Sequence, residues 1–81
     1  MKARVQMFAR AKELAGRDVV ELELPARATV AELRRALADE MPALAPILPH
    51  VMFAVNMEYA GETAAIPDRA ALACIPPVSG G

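Results

Sequence analysis

One amphipathic helix constrains this chain more than any other feature. Thr29-Val30-Ala31-Glu32 has the form of a capping box. The Thr29 hydroxyl accepts from the backbone N–H of Glu32, and the Glu32 side chain reaches back to the N–H of Thr29. Val30, Leu33, Leu37 and Met41 then recur at spacings of three and four, with Ala36 beside them, so one face of the helix is apolar. Arg34, Arg35 and Asp39 fall on or near the wet side, and Pro42 stops the helix. The chain has 81 residues, room for one domain and one small core. That apolar stripe has to be covered by whatever the rest of the chain forms.

The rest reads as short strands. Val5, Met7 and Phe8 within residues 1–9 predict a first strand, and a short helical segment over 10–15 ends at Gly16, where glycine tolerates the left-handed backbone of a helix stop. Val20, Leu22 and Leu24 alternate with Val19, Glu21 and Glu23, the period of two expected of a strand with one buried face, and Pro25 closes it. These two strands form the arms of a hairpin with a long, partly helical connection. After the helix comes a bend rich in proline (Pro42, Pro46, Pro49), then the apolar run His50-Val51-Met52-Phe53-Ala54-Val55, which reads as a central strand buried on both faces. Asn56 ends it, 57–61 is a short strand, Pro67-Asp68 marks a turn, and 71–75 is the last strand. The order strand, strand, helix, strand, short strand, strand predicts an α+β fold with a mixed sheet and its main helix packed across one face. A β-grasp (ubiquitin-like) arrangement matches that order. Residues 1–75 form the domain, and 76–81 are a flexible, extended C-terminal tail.

Composition narrows the function. Nine basic residues against ten acidic ones leave a net charge of −1, without the basic surplus of a nucleic-acid binder. No stretch approaches the length of a membrane span, and no apolar segment follows the charged N-terminus as in a signal peptide. A lone Cys74 cannot form an internal disulfide, which fits a reducing, cytoplasmic setting. The sequence holds no Cys/His cluster with metal spacing, no phosphate-cradling glycine loop and no nucleophile–base set, so no resident metal or cofactor is expected.

The sequence ends Pro76-Pro77-Val78-Ser79-Gly80-Gly81. Two prolines lack N–H donors and favour an extended exit that holds the tail off the domain. Gly80 and Gly81 lack a Cβ, so the last residues can thread a narrow channel and leave the terminal carbonyl open to attack. Stiff prolines followed by bare glycines suit a terminus delivered into another protein's active site.

Over nearly its whole length the chain resembles the small, sulfur-carrying subunits of molybdopterin synthase (carriers of the MoaD/ThiS type). The matching pieces are Phe8-Ala9 followed by Glu13-Leu14-Ala15-Gly16, the helix start at Thr29, Val30 and Leu33, Ala54-Val55-Asn56, and the tail from Pro76 to Gly81. Two departures stand out. Asp68-Arg69-Ala70 replaces an Asp-Gly-Asp-like turn, and Cys74-Ile75 stands where aromatic residues often precede the prolines.

The resemblance implies that an E1-like adenylating enzyme activates the Gly81 carboxylate with ATP. A sulfur donor, such as a cysteine desulfurase system, then yields a C-terminal thiocarboxylate. On the same analogy the loaded tail enters the large subunit of molybdopterin synthase, in a heterotetramer. There it gives sulfur to cyclic pyranopterin monophosphate, forming the molybdopterin dithiolene. Gly81 carries the sulfur, while Gly80, Ser79, Val78, Pro77 and Pro76 give it access. The chain is thus a sulfur-donating subunit, not an enzyme by itself. Phe8, Tyr59 and Ile75 are candidate contacts for the large subunit, and Phe53 reads as core. Cys74 reads as a small buried hydrophobe rather than a relay thiol, and His50 as a surface residue. Asn56 reads as a partner for backbone groups at a strand end. Arg34 and Arg35 read as a solvated helix face, with an acidic patch on the activating enzyme as the functional alternative. Three other functions compete: a carrier for thiamine thiazole synthesis, a ubiquitin-like modifier joined to lysines through Gly81, and a pure interaction module.

Overall fold

The computed structural model describes residues 1–77. Five strands and two helices follow in the order β1 (Lys2–Met7), α1 (Ala9–Ala15), β2 (Val19–Glu23), α2 (Val30–Glu40), β3 (Met52–Val55), β4 (Glu58–Ala60) and β5 (Leu72–Ile75). Two short 3-10 turns, Pro42–Leu44 and Leu48–His50, occupy the proline-rich bend between α2 and β3. The strands make one sheet in the order β2-β1-β5-β3-β4, in which β1 and β5 run parallel and every other pair antiparallel. This is the expected α+β, β-grasp arrangement, with the long helix across one face. Among the described residues, no helix is long and apolar enough to cross a membrane.

The alternation in the strands decides which face is covered. Ala3, Val5 and Met7 of β1 and Val20 and Leu22 of β2 point inward, while Lys2, Arg4, Gln6, Glu21 and Glu23 point out. The inward residues join Phe53, Leu72 and Cys74 and the apolar stripe of α2, Val30, Leu33 and Leu37, in one core. Helix α1 adds Ala11 and Ala15, and its Gly16 cap sits at φ 71, the left-handed value its sequence predicts. β3 is an interior strand as expected, paired with β5 on one side and β4 on the other, although β5 is the middle strand of the five. The run from His50 is not buried on both faces. His50 lies exposed in a 3-10 turn, and Met52 opens β3 with 49% of its surface exposed. An apolar run looks the same whether both faces of its strand are covered or only one, and here the outer face is covered at Ala54, 8% exposed, but open at Met52.

Both arms of the capping box form: Glu32 N–H donates to Thr29 Oγ1 at 3.3 Å, and Thr29 N–H to Glu32 Oε1 at 3.0 Å. The next free donors of the helix start find carbonyls far away in sequence. Val30 N–H donates to Ala64 O and Ala31 N–H to Glu62 O, each at 3.0 Å. The end of the β3–β4 hairpin and the segment after it therefore hold the helix in place.

Arg34 departs from the sequence reading. Its side chain is only 22% exposed, and its guanidinium donates to Val51 O at 2.8 Å, to Leu48 O and to the Glu62 carboxylate. It also lies 5.0 Å from the centre of the Phe53 ring. One cation thus ties α2 to the bend, to the start of β3 and to the loop after β4. It is neither a solvated residue nor free to meet a partner's acids, whereas Arg35 is exposed as expected. Asn56 behaves as read: its side-chain oxygen accepts from Ala71 N–H at 2.9 Å, and its own N–H donates to Ala71 O at 2.8 Å. Asn56 and Met57, both at positive φ, form the two-residue turn between β3 and β4.

Two outcomes follow from this packing. Arg34→Lys keeps the charge but loses the fork that reaches two carbonyls and a carboxylate at once. It should cost about 2 kcal/mol, read as a drop of about 10 °C in thermal denaturation; a melting point equal to wild type would show that the bend holds without the fork. Cys74 is fully buried, and burial pushes its thiol up from 9.0 to about 11, with Arg34 pulling weakly the other way. The folded state therefore holds this proton more tightly than the unfolded state. The resulting stabilisation is complete below pH 9 and fades as pH rises toward 11. At pH 8, iodoacetamide should label native Cys74 about a hundredfold more slowly than the unfolded chain; equal rates would contradict the burial.

Candidate functional site

The outer face of the sheet takes its character from register. In the parallel pair Met7 lies beside Cys74, which sets Phe8 next to Ile75 as the strands continue. In the antiparallel pair Ile75 faces Met52. Phe8, Ile75 and Met52 therefore form one row across β1, β5 and β3. Phe8 is 41% exposed, Met52 49%, and Ile75 half-buried. One step along the sheet, Gln6, Ala73, Ala54 and Tyr59 make a second row, with Tyr59 66% exposed on the edge strand. Ala54 in this row is buried and Gln6 is polar, so the apolar side chains left in water on this face are Phe8, Met52 and Tyr59, with Ile75 half-buried between them.

Phe8 and Ile75, two of the candidate contacts, are brought side by side although 66 residues separate them in sequence. Tyr59 shares their face but stands apart at the edge, and Phe53 is core, with none of its surface exposed. Met52 is the member that sequence reasoning missed. The signal was present: strict alternation along Val51, Met52 and Phe53 puts Met52 on the face opposite Phe53. Reading the run as doubly buried erased that distinction.

The tail leaves from this row. After Ile75 the chain passes to Pro76, half-buried, and Pro77, exposed, neither of which can donate to a ladder. Val78, Ser79, Gly80 and Gly81 lie outside the described residues. At the root of the tail, a cleft of about 510 Å³ is lined by Ala9, Arg10, Ile47, His50, Pro76 and Pro77, with Arg10 paired to Glu13 at 3.0 Å on its rim.

The described residues offer a surface and an exit for the tail, and no set of groups that could carry a reaction. No group of three His, Cys, Asp or Glu side chains among them could hold a metal ion. Cys74, buried and with its thiol pushed up to about 11, is protonated at neutral pH and unsuited to passing sulfur.

Known proteins match this arrangement along the whole chain. The chain is 36% identical over 81 residues to the molybdopterin synthase sulfur carrier subunit of Arabidopsis thaliana, covering 100% of this chain and 84% of that protein. Its structure is similar to that of SAMP1, the small archaeal modifier protein 1 of Haloferax volcanii, with a TM-score of 0.87 at 30% identity and full coverage of both chains. The fold is also that of a chain in the complex of subunits 1 and 2 of the molybdopterin-converting factor of Helicobacter pylori, with a TM-score of 0.69 at 22% identity. A family model described as the ThiS family matches residues 5–81, through the last glycine. The chain belongs to the ThiS family.

Proposed function

We propose that this chain is the sulfur carrier subunit of a molybdopterin synthase and works in the cytoplasm. One observation carries the reading: similarity to a molybdopterin synthase sulfur carrier subunit that spans every residue of this chain. The same observation favours the molybdopterin branch over thiamine thiazole synthesis.

The working group is the carboxylate of Gly81. A carboxylate resists attack because its oxygens are poor leaving groups. An E1-like adenylating enzyme joins it to AMP from ATP, releasing pyrophosphate. The outer sulfur of a persulfide on the desulfurase system attacks the acyl-adenylate and expels AMP. A thiol reductant then cleaves the acyl disulfide, leaving a thiocarboxylate, a soft nucleophile that is anionic at neutral pH. Pro76 and Pro77 direct the tail outward, and the small residues after them let it reach a pocket on the large subunit. There the sulfur passes to cyclic pyranopterin monophosphate on the way to the dithiolene. General acids and bases belong to the large subunit, and the row Phe8–Ile75–Met52 with Tyr59 is where that subunit packs. A partner covering this row would bury apolar side chains that the fold leaves in water.

A second reading has its own support. SAMP1, so similar in structure, is named a modifier protein, and the same adenylation would let Gly81 acylate lysines of other proteins. An isopeptide-linked Gly81 remnant on cellular proteins would establish that reading; acid and thiocarboxylate forms alone would leave the carrier role.

Incubation with ATP, Mg²⁺, the activating enzyme of the same cell and a sulfide source should give the mass gain of exchanging one oxygen for one sulfur, abolished by deleting Gly81. No gain, with an activating enzyme that loads a carrier of its own, would overturn the proposal. Ile75→Asp should weaken binding to the large subunit by about tenfold or more in calorimetric titration while the domain stays folded. Unchanged affinity would remove Ile75 from the interface.

A further inference from the structure

The cleft of about 510 Å³ opens where the described chain ends. Ala9, Arg10 and Glu13 of α1 form one side, and Ile47 and His50 of the proline-rich bend form another. Pro76 and Pro77, the last described residues, complete the lining, so the tail starts from the wall of this cleft. Ala9, Ile47 and the two prolines give it an apolar side, and its titratable groups are Arg10, Glu13 and His50.

Both basic residues have donors to spare. Arg10 Nη1 donates to Glu13 Oε2 at 3.0 Å, and among the described residues the rest of its guanidinium donates to nothing. A guanidinium carries five N–H donors, so one carboxylate contact leaves room for a second. Among the described residues, the His50 imidazole makes no hydrogen bond or ion pair. Free donors beside an apolar wall suit a short segment with one apolar side chain and one carboxylate. Val78-Ser79-Gly80-Gly81 has that composition and is joined to the cleft through Pro77.

We propose that this cleft is the resting seat of the chain's own C-terminus, with Val78 against its apolar side and the Gly81 carboxylate on Arg10 and His50. This rests on the carrier reading only in taking Gly81 as the free terminus. The reach is sufficient. Four residues beyond Pro77 extend at most about 13 Å, and a cleft of about 510 Å³, taken as a sphere, is about 10 Å across. The stiff prolines fix where the tail starts, and the glycines put no Cβ in the way of its turning in. An exposed carboxylate–guanidinium contact is weak by itself, but a short tether holds its end at about millimolar local concentration. Such a seat fills in the free chain and empties easily. Ala9 and Pro76 follow Phe8 and Ile75 directly, so a partner covering the apolar row meets the tail at its root. Loading with sulfur keeps the negative charge but exchanges an oxygen for a weaker hydrogen-bond acceptor, so the seat favours the unloaded terminus.

The test compares the full chain bearing a free Gly81 carboxylate with the same chain ending in a Gly81 carboxamide, which removes the charge and keeps the length. In NMR spectra at neutral pH, the side-chain signals of Arg10 and His50 should differ between the two forms. The Val78 methyls of the acid form should show nuclear Overhauser contacts to Ile47. The difference should disappear in Arg10→Gln and persist in Arg35→Gln, which removes an exposed charge of α2 outside the cleft lining. A carboxypeptidase should release Gly81 about two- to fivefold faster from Arg10→Gln than from wild type, since cleavage takes only the unseated tail. Identical signals in the acid and carboxamide forms, with no contact between Val78 and Ile47, would overturn the seat. So would differences that grow with protein concentration, which would put the tail in a neighbouring molecule's cleft. The measurement needs no partner and no sulfur, so a failed mass gain on loading would sink the carrier reading and leave the seat standing.

Discussion

The parallel pairing of β1 with β5 is the constraint on which the rest depends. Parallel neighbours cannot be joined by a tight turn, so everything between them has to make the crossover. Here that crossover is most of the chain: β2 folds back on the outer side of β1, α2 crosses the sheet, and the β3–β4 hairpin returns along the far side of β5. The first and last strands end at the same edge of the molecule. Phe8 therefore sits beside Ile75, and the prolines leave the sheet next to the start of α1. The apolar row and the root of the tail are adjacent because one register put them there.

A second tie keeps that crossover in place. The bend from 42 to 51 has little regular structure, and its carbonyls need donors. Arg34 supplies them from α2 while its guanidinium lies over Phe53, and the N-terminus of the same helix donates to Glu62 and Ala64. The long helix thus covers the core and also organises two loops. A cation in this position is worth keeping because its charge is met by a carboxylate and by carbonyl dipoles, leaving no unpaired charge behind.

The two faces of the sheet divide the work. The inner face holds the core, including a cysteine whose burial removes it from chemistry. The outer face holds apolar side chains at one end and charges of both signs at the other, with Arg4 paired to Glu21 and Lys2 opposite Glu23. A domain this small has little surface to spare. The half-exposed Met52 is a side chain that the proposed partner would cover.

Local chemistry determined much of this from sequence alone. The capping box, the 3.6-residue stripe of α2, the alternation in β1 and β2 and the glycine stop of α1 each depend on neighbours a few residues away. Such interactions are written in spacing. Three features were decided only by the tertiary structure: that β5 is central, that Arg34 turns inward, and that Met52 joins Phe8 and Ile75. Each depends on partners distant in sequence. A strand's place in a sheet follows from long-range pairing, and whether an arginine near a helix edge meets water or carbonyls follows from which loop folds over it. Periodicity shows that a side chain has a face; only the assembled sheet shows what, if anything, lies across from it.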